Sequence, residues 1–135
     1  MKAELINPFI ASTVQVFATM LRCPLTRGSL QLRSNGFVPE YEINGIIGLS
    51  GGLSGTVIIS LQEGVALNAT EAMLGVRPPG VNEDVIDAVG EIANMVAGAA
   101  KSQLESYKLS MSVPTVNCTP ASYSFLVNAS TIGHA

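Results

Sequence analysis

From Asn82 to about Ser106 apolar residues recur at helical spacing, and no other segment limits the fold as much. Asn82 is suited to accept a hydrogen bond from the first turn, where Glu83 and Asp84 face the positive end of the helix dipole. Val85, Val89, Ile92, Ala93, Val96, Ala97 and Ala100 fall on one arc. A helix with so continuous an apolar arc has to bury it against a second layer, and the alanines allow close approach. At about 100° per residue, Asp87, Glu91, Asn94, Gly98, Lys101 and Glu105 form a polar stripe about 80° wide on the opposite side. Asp87, Glu91 and Asn94 stand at i, i+4 and i+7, so their side chains converge on a patch about 10 Å long. Gly98 costs about 1 kcal/mol relative to alanine in mid-helix, which is tolerable where something must approach closely. Spacing alone fits a solvated polar face.

The other elements follow from similar arguments. Asn7 as N-cap and Pro8 at the first helical position predict a helix to about Leu21, stopped by Cys23-Pro24. Ser29 to Arg33 and Tyr41 to Leu49 read as strands, Gly51 to Gly55 as a turn, and the β-branched run Thr56 to Leu61 as the clearest strand. Glu63 to Leu74 is a helix closed by Gly75. After the long helix, Leu109 to Cys118, interrupted by Pro114, and Ser122 to Val127 read as strands. Pro114 is expected to break a strand edge and to position the helix. The fold class is α+β, with helices packed on a mainly antiparallel sheet. Laying Pro8–Leu21 over Asp84–Ala97 pairs Ile10 with Ile86, Val16 with Ile92 and Met20 with Val96, which suggests a pseudo-twofold internal repeat.

Composition removes several function classes. The 135 residues make one ordinary domain, 47% hydrophobic and 13% charged, able to bury a core. A net charge of −3 with scattered basic residues disfavours nucleic-acid binding. One histidine, His134, and two cysteines outside any CxxC pair, Cys23 and Cys118, leave no metal site of common type. Leu5 to Leu21 is broken by Asn7, Pro8 and Gln15, making it a poor signal peptide and a poor membrane span; the expected location is the cytoplasm. Three Asn-x-Ser/Thr triplets, at Asn68, Asn117 and Asn128, then have no chemical meaning. Gly48 to Gly55 lacks the Lys-Ser/Thr ending of a phosphate loop and leads into a strand, so it reads as a hairpin turn. Ser12 and Thr13 have no neighbouring histidine to activate them.

The run Asp87-Ala-Val-Gly-Glu91-Ile-Ala-Asn94-Met-Val-Ala-Gly98, with Pro114 downstream, resembles the signature of the CheC/CheX/FliY family of bacterial chemotaxis phosphatases. That signature is an acidic residue or Ser, Glu four residues on, Asn three further, and Pro roughly twenty later. Ile6-Asn7-Pro8-Phe9-Ile10 resembles the opening of CheX-type members, and Gly51 to Val57 the family's central hairpin. The resemblance covers about residues 5–118. In the first helix Gln15 and Ala18 fall where the second copy of the motif would place Glu and Asn, so the chain is similar to the single-motif, CheX-like branch. Glu4 and Asn7 have the same spacing, but Asn7 is assigned to capping and the pair lies outside the repeat-equivalent place.

The resemblance implies one domain over 1–135, with its C-terminal strands expected to be incomplete, that removes the aspartyl phosphate of a CheY-type response regulator. Asn94 would orient the attacking water and Glu91 would pair with the regulator's active-site lysine. Asp87, Gly98 and Lys101 would complete the partner contact. The chain would need no cofactor of its own, the regulator bringing Mg²⁺. Such a role suits an amide, which both donates and accepts, and phosphoryl transfer asks mainly for positioning. The resemblance also implies a homodimer, joined where sheet edges are free to pair. Family members usually carry a final strand pair after the position of Val127, where this chain has the polar Asn128 to Ala135. The rival readings are a non-enzymatic adaptor related to the flagellar switch proteins and a small-ligand sensor domain.

Overall fold

The computed structural model describes residues 3–25 and 39–118. The expected strands Ser29 to Arg33 and Ser122 to Val127 lie outside the described residues, as do Asn128 to Ala135. The order is α1 (Ala3–Met20), β1 (Ile43–Ser50), β2 (Gly55–Leu61), α2 (Glu63–Leu74), α3 (Glu83–Ser102), a single 3₁₀ turn (Glu105–Tyr107), β3 (Ser110–Met111) and β4 (Thr115–Cys118). Strand β1 is central. It pairs antiparallel with β2 on one side, and with β3 and β4 end to end on the other. The helices cover one face of this sheet, the α+β layout expected.

Alternation along β1 sets the layers. Ile43, Gly45, Ile47 and Leu49 face the helices, and their partners Leu61, Ile59 and Val57 on β2 and Val116 on β4 point the same way. Gly45 is where α3 comes closest. A Cβ there would stand 3.0 Å from Ala93 Cβ and 3.3 Å from the Val89 side chain and carbonyl. Two small residues, one on each layer, thus let α3 lie almost on the strand. Helix α1 runs antiparallel to α3: Val16, Phe17 and Leu21 join Val85 and Val89, while Leu5 and Phe9 join Ala97 and Ala100. Helix α2 closes the other flank through Ala66, Leu67 and Ala69 and ends on Gly75 in the left-handed region (φ 83°), as expected.

Three expectations need correction. Helix α1 begins at Ala3, so Asn7 is not its cap and Pro8 lies inside it. Pro8 removes only one backbone bond, to the carbonyl of the exposed Glu4, which water can satisfy. The helix ends at Met20, within one residue of the expected Leu21; beyond it Arg22 adopts a left-handed φ of 52° and the Cys23 N–H donates to the Phe17 carbonyl at 2.8 Å. Helix α3 stops at Ser102, short of Ser106, and Glu105 sits on the separate 3₁₀ turn.

Pro114 has a legible consequence. Leu49 opposes Met111 and Ile46 opposes Thr115, so four steps on β3–β4 match three on β1. One residue is bulged out between the two strands, next to a proline that cannot donate to the ladder. Ser112 bridges the interruption: its N–H donates to the Gly48 carbonyl at 2.9 Å, and its Oγ accepts from the Gly48 N–H at 2.8 Å. The Pro114 ring also reaches α3, at 3.8 Å from where a Gly90 Cβ would stand. The helix-positioning role expected for it has this contact behind it.

Replacing Gly45 with valine should push α3 off the sheet. Overpacking of this kind costs about 1–3 kcal/mol, read as a lower denaturation midpoint at unchanged denaturant slope. The Ala93→Gly/Gly45→Ala pair should recover part of the loss.

Candidate functional site

The buried and exposed arcs of α3 fall where helical periodicity puts them. Val85, Val89, Ile92, Ala93, Val96, Ala97 and Ala100 are all buried, and Ala88 and Gly90 join them. Asp87, Glu91, Asn94 and Lys101 are exposed and Gly98 is half-buried. Asn82 caps the helix through its side-chain oxygen, which accepts from the Val85 N–H at 3.2 Å. The helix is therefore fixed over more than half of its circumference and presents the remainder to solvent.

Glu91 and Asn94 stand on adjoining turns, i and i+3, with side chains directed outward over a rigid base. Among the described residues neither side chain has a hydrogen-bond or ion-pair partner. Gly90, one turn before Asn94, faces Pro114 and Val116, so the bulge lies along the Asn94 flank of the stripe. Gly98 has nothing within 4 Å of a built Cβ. Internal packing does not account for this glycine. Asp87 lies one turn before Glu91 and Lys101 one turn after Gly98, so all five expected site residues share one face. Glu4 and Asn7 are exposed on α1, a separate helix.

Among the described residues no group of three or more His, Cys, Asp or Glu could hold a metal ion. No helix among them is long and apolar enough to cross a membrane. Cys118, exposed at the end of β4, has its thiol pushed up from its ordinary value by partial desolvation.

Known proteins share this fold. Residues 43–125, most of the chain and all of α3, match the family model "Chemotaxis phosphatase CheX". The chain belongs to the CheX family. The chemotaxis protein CheX of Vibrio vulnificus superposes with a TM-score of 0.83 at 35% identity, over 94% of this chain and 83% of that one. The CheY-P phosphatase CheX of Thermotoga maritima is 29% identical over 106 residues, 78% of this chain and 68% of the relative. The fold also matches a structure of the CheX–CheY–BeF3–Mg²⁺ complex of Borrelia burgdorferi, with a TM-score of 0.68, 20% identity and coverage of 86% of this chain and 77% of that one.

Sequence reasoning did not find the turn Glu105–Lys108 or the bulge at Ser112–Pro114 as neighbours of this face. Only Pro114 gave a cue, since a proline inside a strand pattern implies an interruption.

Because a Gly98 Cβ would meet nothing within 4 Å among the described residues, Gly98→Ala should stabilise the fold by about 0.5–1 kcal/mol through higher helix propensity. Asn94→Ala, at an exposed and unpartnered position, should change stability by less than about 0.5 kcal/mol. Chemical denaturation of both variants checks this.

Proposed function

We propose that this chain hydrolyses the aspartyl phosphate of a CheY-type response regulator. The observation that carries the reading is the pair Glu91 and Asn94, outward and without a partner among the described residues, on a helix whose other side is locked into the core. An exposed carboxylate and amide with no internal duty are free to meet a partner. The names of the Thermotoga maritima and Borrelia burgdorferi proteins supply the class of partner.

In this reading Asn94 enters the regulator's active site. Its amide oxygen accepts from a water while its NH₂ donates, so the water is held in line with the phosphorus. The leaving group is the regulator's own carboxylate, and water supplies the oxygen of the released phosphate. Glu91 pairs with a lysine of the regulator and sets the depth of docking. Asp87, Gly98 and Lys101 make the surrounding contact. The Mg²⁺ is the regulator's. The regulator works inside the cell, so the proposal places this chain in the cytoplasm. A homodimer is also part of it, supported by the outer edge of β2, which has no strand partner among the described residues. Sedimentation at micromolar concentration should give twice the chain mass, and a monomer would remove that part.

Loss of acyl phosphate from a phosphorylated CheY-type regulator tests the core of the proposal. Asn94→Ala should lower kcat about a hundredfold or more, equivalent to about 2.7 kcal/mol of transition-state stabilisation, while retaining binding. Glu91→Ala should weaken binding as well as turnover. Unchanged phosphate loss in Asn94→Ala would defeat the assignment. A wild-type chain that binds without accelerating hydrolysis would establish the adaptor reading instead.

A further inference from the structure

One turn beyond Asn94 the polar face of α3 opens into a recess of about 280 Å³. It is lined by Gly98, Lys101, Ser102, Glu105, Lys108 and Leu109. Its walls come from two elements. Helix α3 supplies one, and the 3₁₀ turn with the residues after it supplies the other.

The second wall is held firmly. The Tyr107 N–H donates to the Leu104 carbonyl and the Lys108 N–H to the Glu105 carbonyl, each at 3.0 Å. Leu104 and Leu109 are anchored in the core on either side. The β1–β2 turn seals the outside: the Gly52 N–H donates to the Tyr107 carbonyl at 2.8 Å. A Cβ on Gly51 or Gly52 would collide with the carbonyls of Lys108 and Tyr107, so these glycines allow the two turns to meet. Lys108 itself adopts a left-handed φ of 47°. The side chain of a residue distant in sequence from Asn94 is thereby carried to the same face.

The charges are uneven. Lys101 and Lys108 bring two cations and Glu105 one anion, and neither lysine lies within 4 Å of a carboxylate among the described residues. At the other end of α3, Glu83, Asp84, Asp87 and Glu91 are exposed acids with no basic residue between them. The face therefore changes sign along its length, over the roughly 20 Å that separate Asp87 from Lys101. Opposed charge at the two ends of a docking face selects one orientation of a partner over its reverse.

We infer that the recess receives an acidic side chain of the response regulator and so fixes the direction in which the regulator lies along α3. This rests on the reading of Glu91 and Asn94 given above. The regulator's lysine meets the acidic end of the face while its carboxylate sits between Lys101 and Lys108. Gly98 keeps the mouth of the recess open beside Asn94, which gives a use to a helical glycine that packing does not explain. Glu105 at the rim limits the recess to a single anion.

The test uses the double variant Lys101→Glu/Lys108→Glu. Both lysines are exposed, so the fold should be intact. Binding is measured to a CheY-type regulator carrying beryllofluoride and Mg²⁺, and turnover on the phosphorylated regulator. At low ionic strength Kd and KM should rise about tenfold, kcat should stay within about twofold, and the salt dependence of Kd should flatten. Glu105→Gln should shift Kd and KM the opposite way. A double variant with the Kd, KM and salt dependence of the wild type overturns the inference while leaving the catalytic proposal intact. A wild-type chain that does not bind the regulator overturns both.

Discussion

The close contact between Gly45 on β1 and Val89 and Ala93 on α3 is the constraint on which the rest of the structure depends. It seats the long helix on the middle strand of the sheet. It also fixes how α3 is rotated, since a residue larger than alanine at position 93 would meet the strand. With Ala93 facing inward, Glu91 lies on the opposite side of the helix and Asn94 about 100° away, on the Pro114 flank of the exposed arc. The antiparallel packing of α1, the flanking α2 and the Pro114 contact at Gly90 then prevent the helix from rolling. The role proposed for Asn94, holding one water in place, needs this rigidity more than it needs reactive groups.

The poverty of the chain in classical catalytic residues takes on a different meaning in this setting. A single histidine, no metal-binding cluster among the described residues and a low charge content would ordinarily count against an enzyme. They are compatible with one whose partner carries the phosphoryl group, the cation and the lysine. The few polar groups that are concentrated in one place lie on α3. The turn at Glu105–Lys108 extends that face with a second patch of opposite sign. Shape and charge then act together, the acidic end and the basic recess being set apart along one straight element.

Much of this was legible in the sequence. The two arcs of α3 follow from a period of 3.6, and every residue assigned to the inner arc is buried. The cap at Asn82, the strand at Thr56 to Leu61 and the stop at Gly75 are local events governed by local chemistry, and they appear where expected. Errors occurred where local rules compete. Asn7-Pro8 has the pattern of a helix start, but the apolar face of α1 already includes Leu5, and its burial outweighs one backbone bond lost at Pro8. Glu105 continues the helical period of α3 in sequence, although the chain has already turned at Gln103.

The sequence by itself determined which side of α3 carries Asp87, Glu91, Asn94, Gly98 and Lys101, because periodicity and the hydrophobic effect act within one element. It also carried the resemblance to the chemotaxis phosphatases, which rests mainly on those same residues. Tertiary structure alone decided what stands beside them. The bulge that puts Pro114 against Gly90 depends on a register one residue out of step between β1 and β3–β4. The approach of Lys108 to Lys101 depends on two glycines in a distant turn. Both are contacts between segments far apart in the chain, whose cost and gain are settled by packing across elements and leave no period or motif to be read.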